Sequence, residues 1–192
     1  MNNKIKEKWD KNYDSCASDY PSPAEVLHQN QHLLPTQGSA LDLACGRGAN
    51  AICLSENGLS VSAWDISASA LEHLSNEALK KGLEIKLESR NISENPPKKY
   101  SFDVIIVSNF LERELIDDIR NAIKPNGLIF YQTFIVDKTS TVGPTNPDYL
   151  LAKNELLNFF NDWNVLYYRE EGTVGKIEKG FRNQAMIIAQ NL

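Results

Sequence analysis

The stretch Leu41-Asp-Leu-Ala-Cys-Gly-Arg-Gly-Ala-Asn50 decides the fold. A short apolar run, Ala40–Leu43, stops at two glycines, Gly46 and Gly48, and the chain resumes with helix-forming residues through Leu54. Strand, glycine turn and helix in direct succession are the opening of an α/β unit. Glycines at such a turn let the main chain approach a ligand with no Cβ in the way. The helix that follows offers free N–H groups at its start.

Outward from this turn the chain alternates strand and helix, the sign of a largely parallel sheet covered on both faces. Upstream, residues 3–14 are expected as an amphipathic helix and 23–34 as a second helix closed by Pro35. Downstream, a strand over 59–65 leads to Ser67, a good N-cap, and a helix reaching Lys81 with Gly82 at its end. Strands follow at 84–88 and at 102–108, the latter β-branched and apolar enough for burial on both faces. Residues 112–124 read as helix, Pro125-Asn-Gly127 as a turn, and 128–135 as strand. A loop over 137–149, a helix over 152–161 and strands at 163–171 and 184–190, paired as an antiparallel hairpin, complete the chain. The expected architecture is a doubly wound, seven-stranded, mostly parallel sheet with a C-terminal antiparallel hairpin. One domain is expected. Residues 1–36 form an N-terminal helical lid, 37–135 a cofactor-binding core, and 136–192 the substrate loop, last helix and hairpin.

Composition agrees with a single globular domain: 192 residues, 42% hydrophobic and 23% charged. The net charge of −5 works against a nucleic-acid or anionic-membrane partner, which would need a clustered positive field. No apolar stretch approaches the roughly 18 residues of a membrane span, and the polar N-terminus lacks a signal-peptide core. A cytoplasmic location is therefore expected. The cysteines, Cys16, Cys45 and Cys53, are odd in number and form no CxxC pair, so neither a disulfide framework nor a metal site is expected. His28 and His32 share a predicted helix face but have no third ligand; His73 reads as helix surface.

Asp65 lies 17 residues after Gly48, at the carboxyl end of the second strand. A carboxylate there can accept both ribose hydroxyls of an adenosine-containing cofactor. Two cofactor classes meet this geometry. Gly46-x-Gly48-x-x-Ala51 fits the relaxed dinucleotide fingerprint, so NAD(P) and an oxidoreductase stand as one reading. Asp42, inside the strand before the turn, would repel a pyrophosphate yet suit the cationic methionine end of S-adenosylmethionine. The short chain and the closing hairpin also favour the methyl donor.

LDLACGRGAN, VSAWDIS, FDVIIVSNFLERELI and IKPNGLIFYQTF resemble successive motifs of the class I S-adenosylmethionine-dependent methyltransferases. The strings at Phe110–Leu115, Tyr131–Phe134 and Gly143–Leu157 resemble, more narrowly, the tellurite-resistance (TehB-like) branch of that fold. The resemblance implies a cytoplasmic methyltransferase with a small-molecule acceptor. By position, Asp42 would bind the methionine amino group, with Ala44, Cys45, Gly46, Gly48 and Asn50 lining the cofactor. Asp65 would hold the ribose, with Ile66 against the adenine. Asn91 stands where many relatives carry an adenine-binding aspartate, and is followed by Ile92. Ser108, Asn109 and Phe110 would form the floor under the transferred methyl.

Bland readings stand beside these. Asp42 could merely cap the turn, Asp65 could be only the N-cap region of the next helix, and Cys45 and Cys53 read as packing residues. Trp9, Tyr13 or Tyr20 could touch the sulfonium from the lid. No catalytic residue is assigned. Arg113 and Arg182 are candidates for an anionic substrate, Tyr13 for a lid contact, and each has an ordinary structural alternative. Glu112 and Glu114 are not convincing bases, which favours a soft or already anionic acceptor, tellurite- or thiol-like. A catalytically silent cofactor-binding partner protein is the remaining alternative. Whether the chain is a monomer or a homodimer is left open.

Overall fold

A computed structural model describes residues 2–15 and 19–192, with side chains from residue 4 onward. Seven strands form one sheet: β1 (Ser39–Leu43), β2 (Ser60–Asp65), β3 (Ile85–Ser89), β4 (Phe102–Ser108), β5 (Ile123–Phe134), β6 (Asn164–Glu170) and β7 (Gln184–Gln190). Their order is β3-β2-β1-β4-β5-β7-β6. β1 to β5 pair in parallel, while β7 runs antiparallel to both β5 and β6. The last two strands thus pair as the expected hairpin. The second of them, not the first, lies against the parallel sheet.

Strands β1 and β4 show why the sheet needs cover on both sides. Leu41, Leu43, Ile105 and Val107 belong to one buried cluster, and Ala40, Val104 and Ile106 to another. Alternate residues of a strand point to opposite faces, so each strand feeds both cores. The helices α1 (Asn2–Asp14), α2 (Glu25–His28), α3 (Ala49–Glu56), α4 (Ala68–Lys81), α5 (Ile116–Ala122) and α6 (Glu155–Phe159) supply that cover.

α4 starts and stops where its sequence says. Ser67 Oγ accepts the Ala70 N–H at 3.2 Å, and Gly82 closes the helix at φ 67°. Three helices are shorter than expected. The 23–34 segment breaks into α2 and a 3₁₀ turn over Gln31–Leu33. Asn30 Nδ2 donates to Val26 O at 3.0 Å, taking a carbonyl that the next helical turn would need. The break puts His28 and His32 on different elements, both exposed. In the 112–124 segment a 3₁₀ turn (Arg113–Leu115) precedes α5, and β5 begins at Ile123. Pro125-Asn-Gly127 is therefore an irregularity within β5, not a turn before it. The register with β4 jumps from Phe102↔Ile123 to Val104↔Leu128 around Asn126, whose φ is 65°. α6 starts late, after Asn154 at φ 60°.

The strand order reverses between β1 and β4. In open α/β sheets the crevice beyond the carboxyl ends at that switch point is the ligand site. The glycine turn after β1 lies there.

Candidate cofactor site at the tips of β1, β2 and β4

Asp42 is fully buried on β1, on the face covered by α3. Its Oδ2 accepts the Ala51 N–H at 2.9 Å. Ala51 lies in the first turn of α3, where amide groups have no helical partner and the helix dipole favours a negative charge. Its Oδ1 is equally buried and accepts no hydrogen bond among the described residues. Burial, chiefly, and then the nearby charge of Asp65 push the carboxyl up to about 7, against the pull of the Ala51 N–H and Asn50. One oxygen therefore caps the helix that follows the turn, where the bland reading has it capping the turn itself. The other is left for something else.

Asp65 ties the turn together from β2. Its Oδ2 accepts the Gly46 N–H at 2.7 Å and its Oδ1 the Ser67 N–H at 2.8 Å. Each carboxylate oxygen has a second lone pair, so both can still accept from a ligand hydroxyl. Burial raises its pKa, and the backbone donors at Ser67 and Gly46 counter that rise. Within the turn, Gly46 and Gly48 are both left-handed, at φ 52° and 77°. A Cβ on Gly46 would come within 2.7 Å of the Tyr13 hydroxyl, so α1 lies directly over the turn.

The sequence-assigned residues gather at this end of the sheet with differing exposure. Cys45, Gly48 and Asn50 are buried, Ala44 and Ile66 half-buried. Asn91, after β3, is half-buried, and its carbonyl accepts the Asn95 N–H; Ile92 is packed into the core. Ser108 and Phe110 are half-buried and Asn109 exposed, at the end of β4. Ala44 and Asn109, which follow β1 and β4, both adopt φ near +55°, at 56° and 54°. Backbone strain of this kind gathers at ligand clamps.

Both arginine candidates are committed to loops. Arg113 pairs with Glu155 at 2.7 Å and donates to the carbonyls of Asp148 and Leu150, anchoring the end of the 137–149 loop. Arg182 donates to the carbonyls of Gly172, Val174, Lys176 and Lys179, holding the β6–β7 loop together. These hydrogen bonds give each arginine the structural role that was its ordinary alternative. Cys45 and Cys53 are buried free thiols, whereas Cys16 lies outside the described residues.

Tyr20, named above with the lid aromatics, reaches the turn, and sequence reasoning passed over three further positions that the structure brings to the site: Gln132, Gln184 and Asp10. Tyr20 donates to the Arg47 carbonyl, and its ring lies 5.6 Å from the Arg47 guanidinium carbon. Gln132 on β5 and Gln184 on β7 join Asn109 through side-chain amides. Asp10 on α1 accepts from Ser67 Oγ at 2.6 Å. A glutamine inside the apolar run of β5 was the one available signal. Among the described residues, no group of three or more His, Cys, Asp or Glu is placed to hold a metal, and no helix is long and apolar enough to cross a membrane.

Switch-point site, glycine turn and sheet order together define the Rossmann-like methyltransferase fold. The crystal structure of TehB from Haemophilus influenzae superposes with a TM-score of 0.70 at 22% identity, covering 97% of this chain and 67% of that one. A SAM dependent methyltransferase from Aquifex aeolicus superposes with a TM-score of 0.66 at 17% identity, covering 100% of this chain and 99% of that one. A model of the family "Tellurite resistance protein TehB" matches residues 2–189, and the chain belongs to that family. A curated relative, "Probable S-adenosyl-L-methionine-dependent methyltransferase TehB" of Haemophilus influenzae (strain ATCC 51907 / DSM 11121 / KW20 / Rd), is 32% identical over 152 residues. That match spans 74% of this chain and 51% of the relative, so the chain spans about half the length of the curated relative.

Proposed function

We propose that this chain is a methyltransferase that uses S-adenosylmethionine and acts on a small acceptor that is soft or already anionic, tellurite- or thiol-like in its chemistry. The observation that carries the reading is the buried, unpartnered Oδ1 of Asp42 beside the glycine turn. A buried carboxylate oxygen without a donor is costly, and an ammonium group supplies both donor and countercharge. The anionic pyrophosphate of a dinucleotide would make the site worse.

In this reading Asp42 Oδ1 accepts from the amino group of the methionine end, and Asp65 accepts from the ribose hydroxyls. Ala44, Cys45, Gly46 and Gly48 provide close main-chain contact. Ile66, Asn91 and Ile92 bound the adenine, and Asn50, Ser108, Asn109 and Phe110 lie under the transferred methyl. Tyr13 and α1 cover the turn as a lid. The bound sulfonium supplies a methyl carbon already activated for in-line displacement. The residues at the tip of β4 orient the acceptor and exclude water. They are a serine, an amide and an aromatic, none of them a base near neutral pH, which fits an acceptor that arrives without a proton to lose.

Calorimetry with S-adenosylhomocysteine and with NADH tests the cofactor. Uptake of the former alone is expected, and uptake of NADH alone would overturn the reading. Turnover over a panel of small acceptors, followed by release of S-adenosylhomocysteine, tests the substrate class. Turnover confined to a protein or nucleic acid would overturn it.

A further inference from the structure

The sheet ends in β3 on one side and β6 on the other, and the two edges are built differently. Along β6 the register with β7 shifts between Val165 and Tyr167. An irregularity of that kind turns an edge away from unwanted partners. β3 pairs with β2 without a break from Ile85 to Ser89, and among the described residues β2 is its only strand partner. Its outer row of N–H and C=O groups is therefore a regular template for a further strand.

The side chains of this edge divide between two faces, as alternate residues of a strand must. Ile85 and Leu87 are half-buried against the cluster that includes Leu71, Leu74 and Ala78 of α4. Lys86 and Glu88 take the opposite face. Arg90, just past the strand, joins them there, paired with Glu88 and stacked 3.8 Å from the centre of the Trp64 ring. On the apolar face an open groove of about 530 Å³ runs between α4 and β3, with Ala78, Leu79, Leu83, Ile85 and Leu87 in its lining. Leu79, on α4, is 80% exposed. Open apolar surface thus continues directly from an unpaired strand edge.

The segment Glu84-Ile-Lys-Leu-Glu-Ser-Arg90 is complementary in charge to its own reverse. A second copy laid antiparallel, with a two-fold axis through Leu87, sets Lys86 opposite Glu88 and Glu84 opposite Arg90. Each of those pairs occurs twice. An axis perpendicular to the sheet keeps charged face with charged face and apolar face with apolar face. Unlike charges directly opposite each other stabilise an antiparallel pair, and like charges destabilise it. Moving the axis to Lys86 would set Glu84 against Glu88, and moving it to Glu88 would set Lys86 against Arg90. The register that pairs the whole strand is the one that satisfies the charges.

We propose that β3 is the interface with a second copy of this chain, in an isologous dimer whose two sheets join through antiparallel pairing of β3 with itself. Lys86 and Glu88 form the pairs across the axis on one face. On the other face the two Leu87 side chains meet, and the two α4 grooves, each with its Leu79, lie on the same side of the joined sheet.

Light scattering on the full chain, from micromolar to sub-millimolar concentration, tests the interface. A mass approaching twice the 21.6 kDa of one chain is expected as concentration rises. Lys86→Glu and Glu88→Lys each set like charges opposite one another, and each should weaken the dimer at least about tenfold. Mixed in equal amounts, the two variants again face each other with unlike charges at both positions. The mixture should dimerise with an affinity within about threefold of the unaltered protein's. Leu79→Glu, at a position exposed enough that folding does not depend on it, should also favour the single chain. A single-chain mass at every concentration would overturn the second copy as the occupant and leave the edge to a strand of another protein. A dimer unmoved by both Lys86→Glu and Leu79→Glu, or a mixture of the charge variants that stays monomeric, would overturn β3 as the interface.

Discussion

Asp42 and Asp65 stand on paired strands, Asp42 opposite Ala63 and Asp65 two residues further along β2, and they fasten the two ends of one glycine turn. Asp65 accepts the N–H of Gly46 near its start, and Asp42 the N–H of Ala51 just past its end. Two buried carboxylates that share a turn raise each other's cost of ionisation. In the proposed reading the methionine ammonium beside Asp42 relieves that cost, which would couple cofactor uptake to protonation at this point.

Asp42→Asn separates the two roles of that carboxyl. The amide oxygen can still accept the Ala51 N–H, while the charge is lost. The folded carboxyl titrates near 7, raised from an unfolded value of about 3.9. Between these values the folded state holds more protons, so this group's contribution to stability is full below about pH 4 and is lost as pH rises toward 7. The slope is at most about 1.4 kcal/mol per pH unit. Urea unfolding at pH 5, 6, 7 and 8 should show the variant gaining on the unaltered protein up to pH 7 and no further. S-adenosylhomocysteine affinity should fall about tenfold or more in the variant. In the unaltered protein that affinity should rise from pH 6 to 8, with proton release on binding. Identical pH profiles for the two proteins would refute the assignment.

Gly48→Ala tests whether the turn is glycine for conformation alone. At φ 77°, an added Cβ would lie 2.4 and 2.5 Å from the two Leu74 methyl carbons. Left-handed strain of about 1–2 kcal/mol and overpacking of about 1–3 kcal/mol should together remove about 2–5 kcal/mol. Gly82 has a similar φ of 67° with nothing within 4 Å, so Gly82→Ala should show the conformational cost alone. Equal destabilisation in denaturant melts would mean that the Leu74 contact is immaterial.

Asp10→Ala should loosen α1 without loosening the sheet. Asp10 accepts from Ser67 Oγ and from the Ser69 N–H at the head of α4, and pairs with Lys6. The Ser67 hydroxyl, above all, and Lys6 hold its carboxyl down to about 2. Its contribution is thus present above about pH 4 and lost as pH falls through 2. Hydrogen exchange at neutral pH should quicken in α1 alone. Unchanged protection there would show that other contacts fix the helix.

Arg113→Ala should free the segment that ends at Leu150. Its guanidinium bridges Glu155 and two carbonyls of that segment. New proteolytic cleavage between residues 137 and 150 is expected, with cofactor affinity unchanged. Loss of cofactor uptake with the loop still protected would return Arg113 to the site.

Much of the fold could be read locally. The glycine turn, the Ser67 cap and the Gly82 stop depend on residues within a few positions of each other, and α4 spans the expected residues. The helices that came out short failed for equally local reasons that pattern alone does not reveal. Asn30 captures a carbonyl with its side chain, and Asn154 takes a left-handed backbone. Within the site, Asp42 and Asp65 were visible because a carboxylate at a strand tip is unusual whatever surrounds it. Arg113 and Arg182 were open to two readings, since a guanidinium shows its commitment only through its partners.

The sequence by itself determined the alternating elements, the glycine turn and the acidic residues beside it, because those signals are carried by neighbours along the chain. Only the tertiary structure decided that β7 enters between β5 and β6, that α1 caps α4 through Asp10, and that the Val26 N–H meets the Gln132 side chain. Strand partners and hydrogen-bond direction depend on groups brought together from distant positions: Val26 and Gln132 are 106 residues apart. No spacing rule reaches that far.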